Sequence, residues 1–235
     1  MVDGGEWFPG GTAVTRLRVY DWPTTDNVCG GSPHLHTAST EGYVVLTGQG
    51  KLQTLSGSGY VEHELAPGTL LWFTPGTIHR LVNESGDLEI LVVMQNAGLP
   101  EAGDAVLTFP ASVLADAEAY AQAVALPARE RRDLAIEGYL ALRERVQADG
   151  PSALRDHYAA AVALVRDKAA GWSKLWQDRV LAQAESTGGH LRDLASGTGD
   201  HLDRSGVYTA TPGEPGKLGM CGRLQVWDLD STRQV

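Results

Sequence analysis

Over residues 1–110 the chain alternates apolar and polar positions in short runs, broken at regular intervals by Gly and Pro. TRLRVYDW (15–22) alternates, and GYVVLTG (42–48) and KLQTL (51–55) are short runs stopped by Gly or Ser. YVEHEL (60–65) sets Val61, His63 and Leu65 on one face and Tyr60, Glu62 and Glu64 on the other. TLLWFT (69–74), held between the turn pairs Pro67-Gly68 and Pro75-Gly76, is almost continuously apolar and predicts a strand buried on both faces. IHRLVN (78–83) and LEILVVM (88–94) flank the loop ESGD. Many short strands with Gly/Pro turns predict an antiparallel barrel or sandwich.

Near residue 111 the period changes. ASVLADAEAYAQAVAL and the stretches after Pro127 and Pro151 carry helical spacing, with both prolines placed for first turns and Gly150 for a stop. Two or three helices are expected over 111–186. From about 187 the chain is polar and glycine-rich, and GRLQVWDLD (222–230) then reads as a strand. Thus 1–110 is expected to be the β domain, 111–186 a helical segment, and 187–235 a connection with a returning C-terminal strand. RLQVWD (223–228) repeats four of the six residues of RLRVYD (16–21), as a vestige of duplication or as two strands in similar sheet positions.

Composition narrows the partners. A length of 235 residues with 43% hydrophobic residues supports one large domain, or one with an appendage. A net charge of -10 disfavours nucleic acid. Two cysteines, Cys29 and Cys221, suit a reducing compartment rather than a disulfide framework. The acidic start MVDGGEWFPGG lacks the basic and apolar regions of a leader, and no apolar run reaches spanning length, so no membrane partner and a cytoplasmic location are expected.

The chemistry centres on SPHLHTASTE (32–41). His34 and His36, two apart on a strand, point to one face, with Leu35 opposite. Glu41 lies an odd number of residues from His36, so it reaches that interior only if Thr37–Thr40 turns. Downstream, PGTIHRLVN (75–83) offers His79, with Asn83 four residues on. Together the stretches resemble the paired motifs of the cupin superfamily: His34, His36, Glu41 and Gly48 match the first, and Gly68, Pro75, Gly76, His79 and Asn83 the second. Two turn positions depart from the pattern, since Pro75 abuts Gly76 and Gly30 lies too near His34.

The resemblance covers roughly 12–96 and implies a cupin-type antiparallel jelly-roll barrel, followed here by the helical segment and the returning strand. It implies one divalent metal ion on His34, His36, Glu41 and His79. Three neutral imidazoles and one carboxylate leave such an ion near +1, and an octahedral ion keeps two adjacent positions open for a substrate. Iron, manganese, nickel or zinc would suit these ligands.

Tyr43, which shares Glu41's parity, Gln53 and Trp72 are the candidates for lining the cavity, although each residue type is more often core. Arg80 should point away from His79, and no arginine is evidently placed inside the barrel, which argues against a phosphosugar or dicarboxylate. His63 reads as a partly buried or rim residue, and His157, His190 and His201 as surface residues. Cys29 could approach the site mouth but reads as a small buried residue. Trp172 and Trp176, four apart, read as packing. The expected function is a metal-dependent enzyme, a dioxygenase or an isomerase or lyase, on a small oxygenated substrate. The alternative is a non-catalytic binding or sensor module. A homodimer is expected.

Overall fold

The computed structural model describes residues 7–235. The first six residues, which carry most of the reading on a leader and begin the 1–110 span, lie outside them. Nine strands come first: β1 (Ala13–Val19), β2 (His34–His36), β3 (Glu41–Thr47), β4 (Gly50–Ser56), β5 (Gly59–Leu65), β6 (Leu70–Phe73), β7 (Ile78–Asn83), β8 (Glu89–Met94) and β9 (Ala105–Leu107). Helices α1 (Ala111–Leu114), α2 (Ala117–Val124), α3 (Ala128–Asp149), α4 (Arg155–Trp176) and α5 (Ala182–Ala195) follow. The chain ends in β10 (Tyr208–Pro212), β11 (Lys217–Leu218) and β12 (Gly222–Gln234). Among the described residues, no helix is long and apolar enough to cross a membrane.

The strands form two antiparallel sheets. One runs β10-β12-β1-β8-β3-β6, with β11 beside β12, and the other runs β5-β4-β7-β2-β9. Their facing sides enclose Leu17, Val45, Leu52, Leu81 and Ile90, the barrel core. The turn after β3 needs a residue without a side chain: Gly48 has φ +77°, and a Cβ there would lie 2.6 Å from the Leu88 backbone. Asn83 holds the next loop, its Oδ1 accepting from the backbone of Gly86 and Leu88.

A second core lies on the outer side of the five-stranded sheet. There Leu55, Ile78, Phe109, Tyr139 and Trp172 pack together beneath the helices. Every residue of β7 is buried, because the barrel covers one face and the helices the other. The helix α3 comes so close that a Cβ on Gly138 would stand 2.2 Å from the Thr108 carbonyl oxygen. Asp116 caps α2 by accepting from the backbone N–H of Glu118 and Ala119. Gly150, φ +76°, ends α3 as expected.

Several details depart from the sequence reading. The stretch 69–74 is not buried on both sides: β6 pairs only with β3 at a sheet edge, leaving Leu70 64% and Trp72 67% exposed. Its apolar outer residues face a side of the sheet that no helix covers. The helix expected to stop near 186 continues through Gly188 and Gly189 to Ala195. A wider turn over Gln177–Leu181 joins α4 to α5, with helical angles at both ends. Elongating an existing helix adds a hydrogen bond per residue, which offsets the poor propensity of glycine. His157 is buried, because it shares the inward stripe of α4 with Ala161, Val165 and Trp172. The similar hexapeptides are neighbours: β1 and β12 pair antiparallel, with Leu17 opposite Leu224 and Arg18 opposite Arg223. They occupy adjacent positions in one sheet of one chain.

Candidate metal centre

The four predicted ligands meet inside the barrel. His34 and His36 leave β2 on its inner face, while Leu35 joins the core beneath the helices. His79 on β7 sits directly opposite His34 in the ladder, with the two ring centroids 4.2 Å apart. Glu41 comes from β3 in the facing sheet. All four are buried, and one ligand atom from each lies within 4.8 Å of the others.

The turn that Glu41 requires is built around an acid the sequence reading did not single out. Asp104 is fully buried and accepts from the backbone N–H of Thr37 (2.8 Å), Ala38 (2.7 Å) and Ser39 (3.1 Å). It also stands 3.3 Å from Nδ1 of His36. One carboxylate thereby shapes the 37–40 turn and orients an imidazole. The other two rings are held by backbone carbonyls at hydrogen-bond distance, His34 Nδ1 3.0 Å from Ser32 and His79 Nδ1 3.1 Å from Thr77, whereas the His36–Asp104 contact is an ion-pair distance without hydrogen-bond alignment. A proton on each Nδ1 leaves each Nε2 as a free lone pair, the usual arrangement of metal-binding histidines.

The inner atoms fit a cation. Glu41 Oε2 is 3.3 Å from His36 Nε2 and 3.2 Å from His79 Nε2. Neither contact is aligned as a hydrogen bond, so Glu41 Oε2 and His79 Nε2 are buried without a hydrogen-bond partner. Buried polar atoms are rarely left so, and atoms whose lone pairs converge on one point explain it. Burial holds His34 well below the usual histidine range, keeping it neutral. Burial also disfavours charge on His36, but Asp104 and Glu41 outweigh it and raise His36 to about 9. Burial would raise Glu41, but His36 and His79 outweigh it and hold its carboxyl well below the usual range.

A cavity of about 390 Å³ opens onto this cluster. Leu17, Val92 and Met94 of the barrel line one side, and Tyr120 and Val124 of α2 another. The C-terminal segment supplies Met220, Cys221 and Leu224. These walls are fixed: Tyr120 Oη accepts from Leu107 N–H, Ser32 N–H and Oγ donate to the Met220 carbonyl, and Tyr20 Oη donates to the Gly219 carbonyl. Cys221 lies 4.0 Å from His34 Nδ1, and burial pushes its thiol up. Cys29 lies away from the mouth, half-buried, with its sulfur 3.3 Å from the Asp21 carbonyl.

The lining candidates fare differently. Tyr43 is fully buried, edge-on against Phe73, and its hydroxyl has no hydrogen-bond partner. It is not among the residues that line the cavity. Phe73 in turn packs 4.3 Å from the His79 ring. Gln53 points out of the barrel, donating to Glu62 and accepting from Tyr139 beneath the helices, because it alternates with the inward Leu52 and Thr54. Trp72 stands on the bare outer face of β6. Arg80 points outward as expected, onto Asp26 at 2.7 Å. His63 is exposed, with Nε2 3.3 Å from Thr54 Oγ1.

One expectation is corrected by the helical segment. Arg131 of α3 lines the cavity, so a guanidinium does stand at the site. Neither Arg131, Asp104 nor Cys221 had a signal within the two barrel motifs, because all three enter from residues after 94.

The cupin domain family matches residues 27–94 of the chain. No curated protein matches it. Among solved structures, the capsular polysaccharide assembling protein CapF from Staphylococcus aureus is 13% identical, with 43% of this chain and 28% of that one covered at a TM-score of 0.35. The present chain thus spans little more than a quarter of CapF. An uncharacterized conserved protein with a double-stranded β-helix domain from Klebsiella pneumoniae is 17% identical over 40% of this chain and 75% of its own, at 0.31. The TDP-fucose-3,4-ketoisomerase WlaRA from Campylobacter jejuni is 16% identical over 39% and 64%, at 0.32.

Proposed function

Since residues 27–94 match the cupin domain family, we propose that this barrel holds one divalent metal ion on His34, His36, Glu41 and His79 and serves as a metal-dependent enzyme for a small oxygenated molecule. The observation that carries the reading is the set of four buried ligand atoms within 4.8 Å of one another, two of them without hydrogen-bond partners. A bound iron, manganese, nickel or zinc ion would supply Lewis acidity, or with iron an electron source for dioxygen.

The chain's own residues would do the rest. Asp104, Ser32 and Thr77 hold the imidazoles with Nε2 inward. The walls from the barrel, α2 and the C-terminal segment are largely apolar, which strengthens polar interactions made against them. A helical segment that walls the cavity favours an enzyme over a sensor, whose output surface would be expected elsewhere. A homodimer belongs to the same reading, with the bare outer face around Leu70 and Trp72 as its surface; a monomer by light scattering removes that part.

The test is a turnover screen of hydroxy acids, oxo acids and sugars with metal-loaded protein, in air and under strict anaerobiosis. Turnover abolished in His34→Ala/His79→Ala is expected. Turnover that survives without oxygen selects isomerase or lyase chemistry. Tight ligand binding without turnover under either condition would favour the binding-module alternative.

A further inference from the structure

We infer that Arg131 is an anion clamp, so that the molecule bound beside the metal cluster carries a second, distal acidic group. This rests on the metal reading above. Arg131 is the sole lysine or arginine among the described residues lining the cavity. Its guanidinium is half-buried and held by two backbone carbonyls only: Nη1 donates to Val124 at 3.2 Å and Nη2 to Gly219 at 3.3 Å. Among the described residues no carboxylate forms an ion pair with it, and its Nε is buried without a partner. The two fully buried arginines differ in having a carboxylate: Arg80, whose Nε also lacks a partner, is paired with Asp26, and Arg132 with Asp133 and the carbonyls of Trp22 and Pro23.

A guanidinium in a largely apolar wall with no counter-ion is costly unless something charged comes to it. With the Nε–H buried, one N–H on each Nη is left unspent by the two carbonyls. Glu41 is committed to the cluster, and Glu101, the other acid of the lining, is exposed at the rim. A ligand with an oxygen donor at one end, an apolar body and a carboxylate at the other end matches all three surfaces. This reverses the expectation that a dicarboxylate is disfavoured.

The clamp is tested by calorimetric titration of manganese-loaded, full-length protein. The probes are 2-hydroxy dicarboxylates of four to six carbons, malate among them, each against its ω-amide. Both members of a pair present the same 2-hydroxy acid head to the metal and differ only in distal charge. The wild type should prefer the acid about 10- to 100-fold at one chain length, the worth of a charge-assisted hydrogen bond. Arg131→Gln should abolish the preference at unchanged manganese content, and Arg131→Lys should keep part of it. If Arg131→Gln does not fold, a several-fold drop in Arg131→Lys is the supporting result, and an unchanged preference overturns the clamp. A manganese-loaded Arg131→Gln protein that keeps the preference, or a wild type with none at any length, also overturns it. A wild type that takes up no metal overturns the underlying reading instead, and elemental analysis shows this before any ligand is added.

Discussion

The two sheets of the barrel share an interior but not an exterior. The five-stranded sheet carries helices on its outer side, and β7 within it is buried at every position. The seven-stranded sheet has apolar residues on its outer side too, but Leu70 and Trp72 stand in solvent. Three of the four candidate ligands, His34, His36 and His79, sit on the covered sheet. Only Glu41 comes from the other. The comparison teaches that the helical segment does two jobs with one docking surface. It buttresses the strands that hold the imidazoles, and it closes one wall of the cavity that reaches them.

Disturbing the covered side should therefore cost far more than disturbing the bare side. Ile78→Ala removes a fully buried side chain between sheet and helices, and should destabilise by about 3–5 kcal/mol in chemical denaturation. Gly138→Ala should cost about 3 kcal/mol, although alanine is the better helix former by about 1 kcal/mol, because its Cβ would meet the Thr108–Phe109 backbone. A Gly138→Ala protein as stable as the wild type would mean that α3 does not sit this close.

Acid should also act on the covered side. His157 is buried on the inward face of α4, in a cavity wall shared with Glu137, Arg145 and Asp156, and burial lowers it to about 4. The unfolded chain then takes up this proton first, near 6.5. Stability from the neutral ring is complete above pH 6.5 and is lost as the pH falls towards 4, by an amount on the order of 2–3 kcal/mol. His157→Leu should flatten that part of the stability–pH curve; an unchanged slope would assign it to other groups. The smallest effect is expected on the bare face, where Trp72→Thr should shift stability by less than about 1 kcal/mol. A larger loss there, and one dependent on protein concentration, would mean that a second copy covers it.

The same contrast explains what was legible in the sequence. Alternation gave the strands, with Ile78–Asn83 at its expected bounds, and the two motifs picked out the four residues that cluster inside the barrel. Parity alone set both histidines on one face of the strand and Leu35 on the other, and the structure turns the histidines inward. What periodicity does not carry is the identity of the neighbour. An apolar outer face on β6 reads the same whether a helix covers it or not, so 69–74 looked buried. Gln53 could not be assigned to the barrel or the helices without knowing which parity faced in. Asp104, Arg131 and Cys221 reach the site through turns and helix docking after residue 94, and no local pattern marks them.

The central claim is that four buried side chains hold a metal ion, and metal content measures it most directly. Elemental analysis of the purified wild type, beside Glu41→Gln, His34→Ala/His79→Ala and Asp104→Asn, should find close to one equivalent of a transition metal in the wild type. The double mutant should have lost it, and Asp104→Asn should bind about 10- to 100-fold more weakly, since only the orientation of His36 and of the 37–40 turn is disturbed. A folded wild type that contains no metal, and takes up none of iron, manganese, nickel or zinc at neutral pH, would contradict the account.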